Sequence, residues 1–366
     1  MKIKFKPIAI LTLLLLLSIT LSSCSGQPYD YKLEEHIRIA DYTQIKIDEN
    51  LIEAQIEKYK TDLLSAHSVR SEEQIFGRPL REGDIAVVTY KCYTEESLLM
   101  PVADPVPSEP APVLEDTNCE IVLGSGKYPP AFESGIINVG VSSREHEWHI
   151  LLPDDFGIKK LAGKNVVFFV TVNGGYEFVQ PQYDDVFIAR VTKYSSVKEY
   201  EAAMREQARF QLVWDELISK TEVISYPQDE LREHRNDFIE YYSNLAGGNV
   251  ELSAFIGKNF FIDSDNFHLT ADEYSKNYTK EEMAVYAIAR QSGLELTDDE
   301  YRINALEYAK EYDYDSLSDF ESIYGKAFIR YSILKDSVMR YVTYNSLSSP
   351  DLVPPPESDT KAETGA

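Results

Sequence analysis

The sequence predicts an α+β chain, in which a compact antiparallel β-sheet domain is followed by an all-helical region. From about residue 81 to 172, short β-branched and aromatic runs alternate with polar residues and are separated by Gly, Pro and Asp. From about residue 195, apolar residues recur at helical spacing, and Ser or Thr precedes Glu by three residues at predicted helix starts. The change of period marks the boundary between the two regions.

The N-terminus has the layout of an export signal. Three lysines within the first six residues precede an apolar run over 8–21, and LSSC follows, ending at Cys24. These last residues resemble a bacterial lipobox, which implies that 1–23 is a signal peptide and that Cys24 is lipidated. An uncleaved membrane anchor is the alternative, although the apolar run is shorter than the roughly 20 residues that span a bilayer. We expect a chain anchored by lipid to the extracytoplasmic face of the bacterial cell membrane.

The chain is strongly acidic, with a formal net charge of −25. A chain of this charge repels nucleic-acid phosphates and anionic lipid headgroups. We therefore expect no nucleic-acid partner, and we expect attachment to the membrane through acyl chains alone.

A tether over residues 24–42 is expected to lead into a strand and a helix within 43–78. The strand prediction rests on TQIKID (43–48), and Asp48 is placed to cap the helix that follows. One apolar stripe runs along this helix at helical spacing. It is formed by Ile52, Ile56, Tyr59 and Leu63.

Four runs are predicted as strands of a sheet domain over 79–180. They are DIAVVTYKCY (84–93), CEIVL (119–123), HEWHILL (146–152) and NVVFFVTV (165–172). Between the first two, residues 100–112 carry five prolines, a density that no strand ladder tolerates, so an exposed loop of polyproline character is predicted. Cys92 and Cys119 lie in the strands that flank this loop, and either a disulfide or two reduced, buried thiols fits them.

The helical region is predicted to cover residues 181–345. Ser196, Thr279 and Thr297 each begin a Ser/Thr-x-x-Glu capping box, and Gly293 is placed to end the helix that Thr279 starts. Residues 346–366 are polar and Pro-rich, and we expect them to form a disordered tail.

Conventional catalytic and metal-binding motifs are not found in the sequence. His146 and His149 of REHEWHI are three residues apart, and on a strand such residues point to opposite faces, so they could not share one ion. GSG (124–126) lacks the spacing and the lysine of a phosphate-binding loop, and no Gly-x-Ser-x-Gly or Cys/His arrangement indicates a nucleophile. We expect no metal and no cofactor.

Three segments in order resemble the FKBP-type peptidyl-prolyl isomerase domain in the version found in trigger factors. They are REGDIAVVTYKCY, LGSGKYPPAFESGIINVGV and LLPDDFGIKKLAGKNVVFFVTV. PQYDDVFIARVTKYSSVKEYEAAMREQ and the stretch 281–345 are similar to the helical chaperone domain of the same family. The resemblance covers roughly 40–345. It implies an FKBP-like antiparallel sheet wrapped on a short helix, plus an all-α chaperone domain with helical arms.

The N-terminal part of the trigger factor pattern is only partly present. Residues 43–78 resemble its last strand and helix, whereas its basic ribosome-docking signature is missing. The resemblance therefore carries no expectation of ribosome binding.

The family pattern places an apolar pocket in the sheet domain. Its expected lining residues are Tyr90, Ile121, Val122, Phe132, Phe156 and Phe168. The alternative is that all six belong to the ordinary core of a β domain. Such a pocket needs no charged catalyst, because the twisted X–Pro amide has lost its charge separation and is favoured by an apolar, water-poor site.

Pro129 and Phe156 depart from the family pattern. The residue at position 129 is typically isoleucine or valine, whose backbone N–H donates to the bound peptide, and proline has no N–H. Phe156 lacks the hydroxyl of the usual tyrosine, and Asp116 is a candidate for the aspartate often found over the pocket. Loss of one hydrogen bond costs about 0.5–1.5 kcal/mol, so we expect weakened isomerase activity rather than none.

Three functions fit these observations. The first is a lipid-anchored foldase, an isomerase and chaperone for unfolded or nascent exported polypeptides that contain X–Pro bonds. The second is a non-enzymatic holdase with a degenerate pocket, and the third is a cell-surface binding lipoprotein with no folding role. Four aromatic residues of the helical region could contact apolar client segments, or could simply pack the helices: Phe210, Trp214, Tyr241 and Tyr242.

Overall fold

A computed structural model describes residue 29 and residues 31–99, 110–137, 139–248 and 250–348. Cys24, the predicted signal peptide, most of the Pro-rich loop and most of the C-terminal tail lie outside these residues. The chain divides into two compact units. The sheet unit consists of Leu63–Tyr183 and Phe238–Glu273, and the helical unit takes the described residues of Met1–Asp62, Asp184–Asp237 and Tyr274–Ala366. The fold class is α+β, as predicted.

The helices and strands are numbered along the chain. The strands are β1 (Ile37–Arg38), β2 (Val69–Gln74), β3 (Ile85–Thr94), β4 (Leu114–Val122), β5 (Ser142–Leu151), β6 (Asn165–Val179) and β7 (Glu222–Val223). The helices are α1 (Glu49–Ala66), α2 (Glu95–Leu99), α3 (Pro130–Ile136), α4 (Asp185–Val191), α5 (Val197–Lys220), α6 (Gln228–Ala246), α7 (Leu252–Phe260), α8 (Ser264–Ser292), α9 (Asp298–Glu311), α10 (Leu317–Tyr324) and α11 (Lys326–Tyr344).

The sheet unit is built on a curled antiparallel sheet with the order β2-β6-β3-β4, in which β5 also pairs with β6. The four predicted strands are confirmed as β3, β4, β5 and β6, although β4, β5 and β6 are longer than predicted. β6 has 15 residues, so its two halves can pair with different neighbours. The short helix α3 packs against β5, and its Phe132 is completely buried.

The strand predicted at 43–48 is wrong. Tyr42–Gln44 forms a single 3-10 turn, because the Asp41 side chain accepts a hydrogen bond from the Thr43 N–H, and residues 45–48 have no regular structure. The helix prediction that follows is confirmed. The Asp48 side chain accepts from the Asn50 N–H at 2.8 Å, and the predicted apolar stripe of α1 is buried. β2 was not predicted from the sequence.

The helical unit has its main core between α5, α8 and α11. Trp214 of α5 is 1% exposed and Phe210 is 4% exposed, so these two residues pack the helices. Tyr241 and Tyr242 of α6 lie in the sheet unit and are partly exposed. A second, smaller core joins α9, α10 and α11.

Two of the three predicted capping boxes begin a helix. The Ser196 hydroxyl accepts from the Glu199 N–H at the start of α5, and Thr297 and Glu300 form a reciprocal capping box at the start of α9. The Thr279 prediction is wrong, because Thr279 lies inside α8 and is completely buried. Gly293 does end this helix: its φ is +65°, and the Leu294 N–H donates to the Ala289 carbonyl at 2.9 Å.

The two described cysteines are free. Cys92 lies opposite Leu114 and Cys119 lies opposite Val88 in the pairing of β3 with β4, so the register keeps the two residues apart. Burial raises the pKa of the Cys92 thiol to about 12. Within the part of the chain that the structure describes, none of the helices has the length and apolar character needed to cross a bilayer.

Candidate functional site

The turn before α3 is held in place by a buried carboxylate. Glu133 is 4% exposed, and its oxygens accept the N–H groups of Gly124 at 2.8 Å, Gly126 at 3.4 Å and Tyr128 at 2.9 Å. Gly124 has a φ of +84° and Gly126 a φ of +72°, backbone conformations that other residues rarely adopt. The loop after β4 is thereby folded around the start of α3, which fixes the position of Phe132.

Three of the predicted site residues meet above the sheet. Tyr90 of β3, Phe132 of α3 and Phe168 of β6 have ring centroids 5.3 Å (Tyr90–Phe132), 5.9 Å (Tyr90–Phe168) and 4.8 Å (Phe132–Phe168) apart. Edge-on and tilted contacts at these distances are the favoured aromatic geometries. The three rings are 0–3% exposed, so they form a closed cluster.

The other predicted site residues do not all belong to this cluster. Ile121 is 2% exposed and belongs to the same core, and Phe156 packs against it from the segment after β5. Val122 is not part of this core, because successive residues of β4 point to opposite faces of the sheet. The structure therefore brings five of the six residues together and leaves Val122 out.

Two aromatic residues that the sequence did not single out complete the cluster. Tyr128 stacks on Phe132 with centroids 5.5 Å apart, and Trp148 of β5 meets Phe132 edge-on at 6.1 Å. A Cβ atom at Gly135 would lie 2.9 Å from the Trp148 ring, so only glycine at this position of α3 allows the indole to lie against the helix. In the sequence, the alternation of side chains along β5 and the glycine in α3 could have indicated that Trp148 packs against this helix.

Phe261 covers the cluster from a distant part of the chain. It lies between α7 and α8 within the sheet unit, 7% exposed. Its ring centroid is 5.1 Å from that of Tyr128 and 6.4 Å from that of Phe156. We refer to residues 252–266, which contain Phe261, as the Phe261 segment. No local sequence pattern connects this segment to the strands.

Ionisable groups at the cluster are held neutral by burial. Burial, followed by the nearby Cys119 thiol, raises the pKa values of the Tyr90 and Tyr128 phenols above their ordinary range. Burial also raises the pKa of the Cys119 thiol. Among the described residues of the sheet unit, the buried charged side chains are Asp84 and Glu133, and both are bound by local donors. The cluster is thus an apolar environment with neutral phenols at its edge.

Pro129 lies at the start of α3 and offers no N–H to a ligand. The Pro129 carbonyl oxygen accepts hydrogen bonds from the N–H groups of Phe132 at 2.8 Å and Glu133 at 3.2 Å. Both of these hydrogen bonds lie within the first turn of α3. Asp116 of β4 forms an ion pair with Lys258 of the Phe261 segment, with Oδ1 3.0 Å from Nζ. Asp116 therefore lies at the edge of the cluster that this segment covers.

Metal ligation has no clear location in the described residues. The structure shows, among the residues it describes, no group of three or more His, Cys, Asp or Glu side chains suited to a metal ion. His149 instead bridges Glu95 at 2.9 Å and Glu147 at 3.1 Å on the exposed side of β5. Hydrogen bonds from the imidazole to these carboxylates, Glu95 first, raise the pKa of His149.

Comparisons with known proteins point to one family. The trigger factor of Thermoanaerobacter sp. (strain X514) is 24% identical over 307 residues, which cover 75% of this chain and 66% of that protein. The trigger factor of Clostridium kluyveri (strain ATCC 8527) is 22% identical over 341 residues, which cover 88% of this chain and 76% of that protein. Over most of its length this chain is similar in sequence to trigger factors.

The comparisons also include a shorter sequence alignment and one solved structure. The trigger factor of Nostoc punctiforme is 28% identical over 184 residues, covering 48% of this chain and 36% of that protein. A solved trigger factor chaperone, studied for promiscuous substrate recognition in folding and assembly, matches with 16% identity and a TM-score of 0.31. That match covers 85% of this chain and 73% of the other. No protein-family model matches the chain. The chain spans about two thirds of the length of the Thermoanaerobacter trigger factor.

Proposed function

We propose that this protein is a chaperone and foldase for unfolded polypeptides and that it isomerises X–Pro bonds at the Tyr90–Phe132–Phe168 cluster. The observation that carries the proposal is the convergence of these three rings in one apolar site, in a chain homologous to trigger factors. Its clients would be unfolded or nascent exported polypeptides. It would act without a metal or cofactor and without the ribosome.

The chemistry fits a site that has no proton donor in its centre. Rotation about an X–Pro bond meets a barrier of ~18–20 kcal/mol, because the resonance of the amide has to be broken. The twisted amide is less charge-separated than the planar one, so a site lined by Tyr90, Phe132 and Phe168 would bind it more tightly than the planar ground state. Each tenfold of acceleration requires about 1.4 kcal/mol of such preference.

The isomerase is tested by a change that reshapes the cluster and a matched change that does not. Phe168 and Phe169 are neighbours on β6. Phe168 lies in the cluster, whereas the Phe169 ring contacts Tyr93 at 5.9 Å. Phe168→Leu is expected to lower the isomerisation rate of a prolyl peptide at least about tenfold, and Phe169→Leu is expected to leave it within about twofold. Equal rates in the two variants would refute the assignment of the cluster as the catalytic site.

A non-enzymatic holdase is the second candidate, and two observations favour it. Pro129 has no N–H to offer, and Phe156 has no hydroxyl. Suppression of client aggregation, measured beside isomerisation, separates the candidates. A holdase would suppress aggregation in the wild-type chain and in Phe168→Leu alike while neither accelerates prolyl isomerisation.

We also propose that the chain is lipid-anchored at Cys24 and works on the extracytoplasmic face of the membrane. The support is the lysine-rich, apolar N-terminus ending in LSSC. Metabolic labelling with a radioactive fatty acid and membrane fractionation test this. The wild-type chain is expected to be labelled and to sediment with membranes, and Cys24→Ser is expected to lose the label. Persistence of the label in Cys24→Ser would contradict the assignment.

A further inference from the structure

The Phe261 segment covers one side of the aromatic cluster. The Phe261 ring meets Tyr128, which stacks on Phe132, and Phe156, which packs against the same core. Phe261 is 7% exposed, and it belongs to the same buried core as Tyr90 and Phe168. An aromatic side chain of the protein itself therefore occupies the position where we would expect an apolar side chain of a client.

The backbone of the segment is fastened beside Phe156. The Asp263 N–H donates to the Gly157 carbonyl at 3.0 Å, and the Asn266 side-chain amide donates to the same oxygen at 2.7 Å. In return, the Lys159 N–H donates to Asp263 Oδ2 at 2.8 Å. These are directed contacts between the segment and the loop that carries Phe156.

Gly157 allows this close approach. A Cβ atom at position 157 would lie 2.5 Å from the Phe261 carbonyl oxygen and 2.6 Å from Ile262 Cγ2. Contacts this short do not occur between real atoms, so any side chain at 157 would force the segment to move. The glycine is explained by the segment that lies on it.

The contact also has features that make it reversible. Phe261 has φ +55° and ψ +37°, the left-handed conformation that a bulky residue rarely adopts, so the closed state stores backbone strain. The Lys258–Asp116 ion pair involves a half-exposed lysine, and exposed pairs of this kind contribute little. A strained aromatic anchored by a few polar contacts is suited to release.

We propose that the Phe261 segment is a tethered occupant of the isomerase site and that a client gains access by displacing it. The inference rests on the proposed function and concerns the regulation of the same site. A protein whose binding-competent state is only a fraction of the population binds its ligand more weakly by that fraction. The segment therefore sets the apparent affinity of the site, and it selects for clients that present an aromatic side chain able to take the place of Phe261.

The test uses the full-length chain and two neighbouring residues of the segment. Phe261→Ala removes the ring from the cluster. Phe260→Ala is the matched control, because the Phe260 ring is 44% exposed and contacts Tyr242 and Phe255 instead. Affinity for a fluorescein-labelled peptide containing Phe-Pro-Phe is measured by anisotropy. We expect Phe261→Ala to bind at least about tenfold more tightly than the wild-type chain, and Phe260→Ala to bind within about twofold of it.

Two further measurements guard against loss of folding in the variant. Gly157→Ala keeps the Phe261 ring but displaces the segment, so it should raise the affinity in the same direction. A synthetic peptide of residues 252–266, added to Phe261→Ala, should compete with the labelled peptide, and the same peptide with alanine at 261 should not. Failure of this peptide to compete would contradict the inference.

The outcomes separate this inference from the isomerase proposal. Tighter peptide binding by Phe261→Ala without any isomerisation supports the displaceable segment and refutes the isomerase. Isomerisation by the wild-type chain with no gain in affinity or rate in Phe261→Ala leaves the isomerase in place and overturns the segment's role. Weaker binding by Phe261→Ala than by Phe260→Ala would also overturn it, because Phe261 would then be part of the binding wall.

Discussion

Replacement of Pro129 by isoleucine should strengthen the isomerase, because it restores the one polar group that this position lacks. Pro129 has φ −50° and ψ 133°, a conformation open to isoleucine. The only polar backbone atom of Pro129 is its carbonyl oxygen, which accepts from Phe132 and Glu133 and is unaffected by the change. The substitution therefore adds a donor at the site without removing an existing hydrogen bond.

The expected gain follows from the energy of one hydrogen bond. A bond between the new N–H and a client carbonyl is worth about 0.5–1.5 kcal/mol, which corresponds to about two- to tenfold in kcat/KM. The variant gives up the rigidity of proline, which lowers the stability of the fold by about 0.4–1 kcal/mol through the unfolded chain. Unfolding by urea measures that second effect separately from catalysis.

The assay is prolyl isomerisation of a chromogenic peptide, followed in a protease-coupled reaction. Pro130→Ile is the matched control, because it also removes a proline but adds its N–H in the first turn of α3, one residue further on. Both substitutions should be measured in the wild-type chain and in Phe261→Ala. If the Phe261 segment only reduces the fraction of molecules whose site is open, Pro129→Ile should change kcat/KM by the same factor in both backgrounds. An unchanged or lower kcat/KM in Pro129→Ile, in both backgrounds, would refute the role given to the missing donor.

Further expected outcomes concern stability. Glu133→Ala leaves three N–H groups of the 124–128 loop without their acceptor and should lower the free energy of unfolding in urea by about 3 kcal/mol, whereas an unchanged value would show that Glu133 does not hold this loop. Hydrogen bonds from Arg78 outweigh burial and lower the pKa of Asp84. The stabilisation of the fold by the Asp84 carboxylate is therefore present above the ordinary carboxyl pKa of about 4, and it is lost as the pH falls through the lowered pKa. Asp84→Asn should flatten this acid side of the curve of unfolding free energy against pH. Thr297→Ala should cost about 1 kcal/mol by removing a helix cap, while Thr279→Ala, whose buried hydroxyl has no hydrogen-bond partner among the described residues, should be neutral or stabilising by thermal melting.

The sheet could be predicted because its strands have a strong local pattern. Residues 84–93 and 165–172 alternate or run as β-branched and aromatic stretches between turn residues, and each is a strand in the structure. β2, which reads VRSEEQ, has few such residues and exists because β6 extends far enough to pair with it. β2 therefore forms because it pairs with β6, and its own sequence does not predict a strand.

The two wrong predictions have similar causes. Residues 43–48 alternate as a strand would, but the Asp41 cap turns the chain first, and Ile45 is buried in the helical core without a strand partner. Thr279 and Glu282 have the spacing of a capping box, yet no Gly or Pro interrupts α8 around them. Glu282 accepts hydrogen bonds from Tyr29 at 2.8 Å, and Thr279 is buried. The spacing of a capping box alone does not distinguish the start of a helix from its interior, because the distant residues that bury or bind these side chains are not part of the motif.

The residues of the candidate site could be predicted where they belong to the three sheet-domain segments that resemble a known family. Tyr90, Phe132 and Phe168 were placed together from the order of three segments, and their rings do meet. Val122 was included together with Ile121 because the family pattern places this strand at the pocket wall, although the two residues point to opposite sides of β4. Phe261 could not be found, because its contact with Tyr128 joins two regions that no sequence motif relates.

An aromatic residue at position 261 is difficult to explain by the fold of its own segment. Its left-handed backbone would be relaxed by glycine, and the strain of a bulky residue there costs on the order of 1–3 kcal/mol. Covering an apolar ring returns roughly 1.5–3 kcal/mol, and the two hydrogen bonds from Asp263 and Asn266 to the Gly157 carbonyl add about 0.5–1.5 kcal/mol each, so the closed arrangement is favoured by a net amount of about 2 kcal/mol. A glycine at 261 would relieve the strain and leave Tyr128 and its neighbours facing water, where contiguous apolar surface favours unwanted association. The strained phenylalanine is therefore better explained by the cluster that it covers, and its small net stabilisation is what allows a client with a similar side chain to replace it.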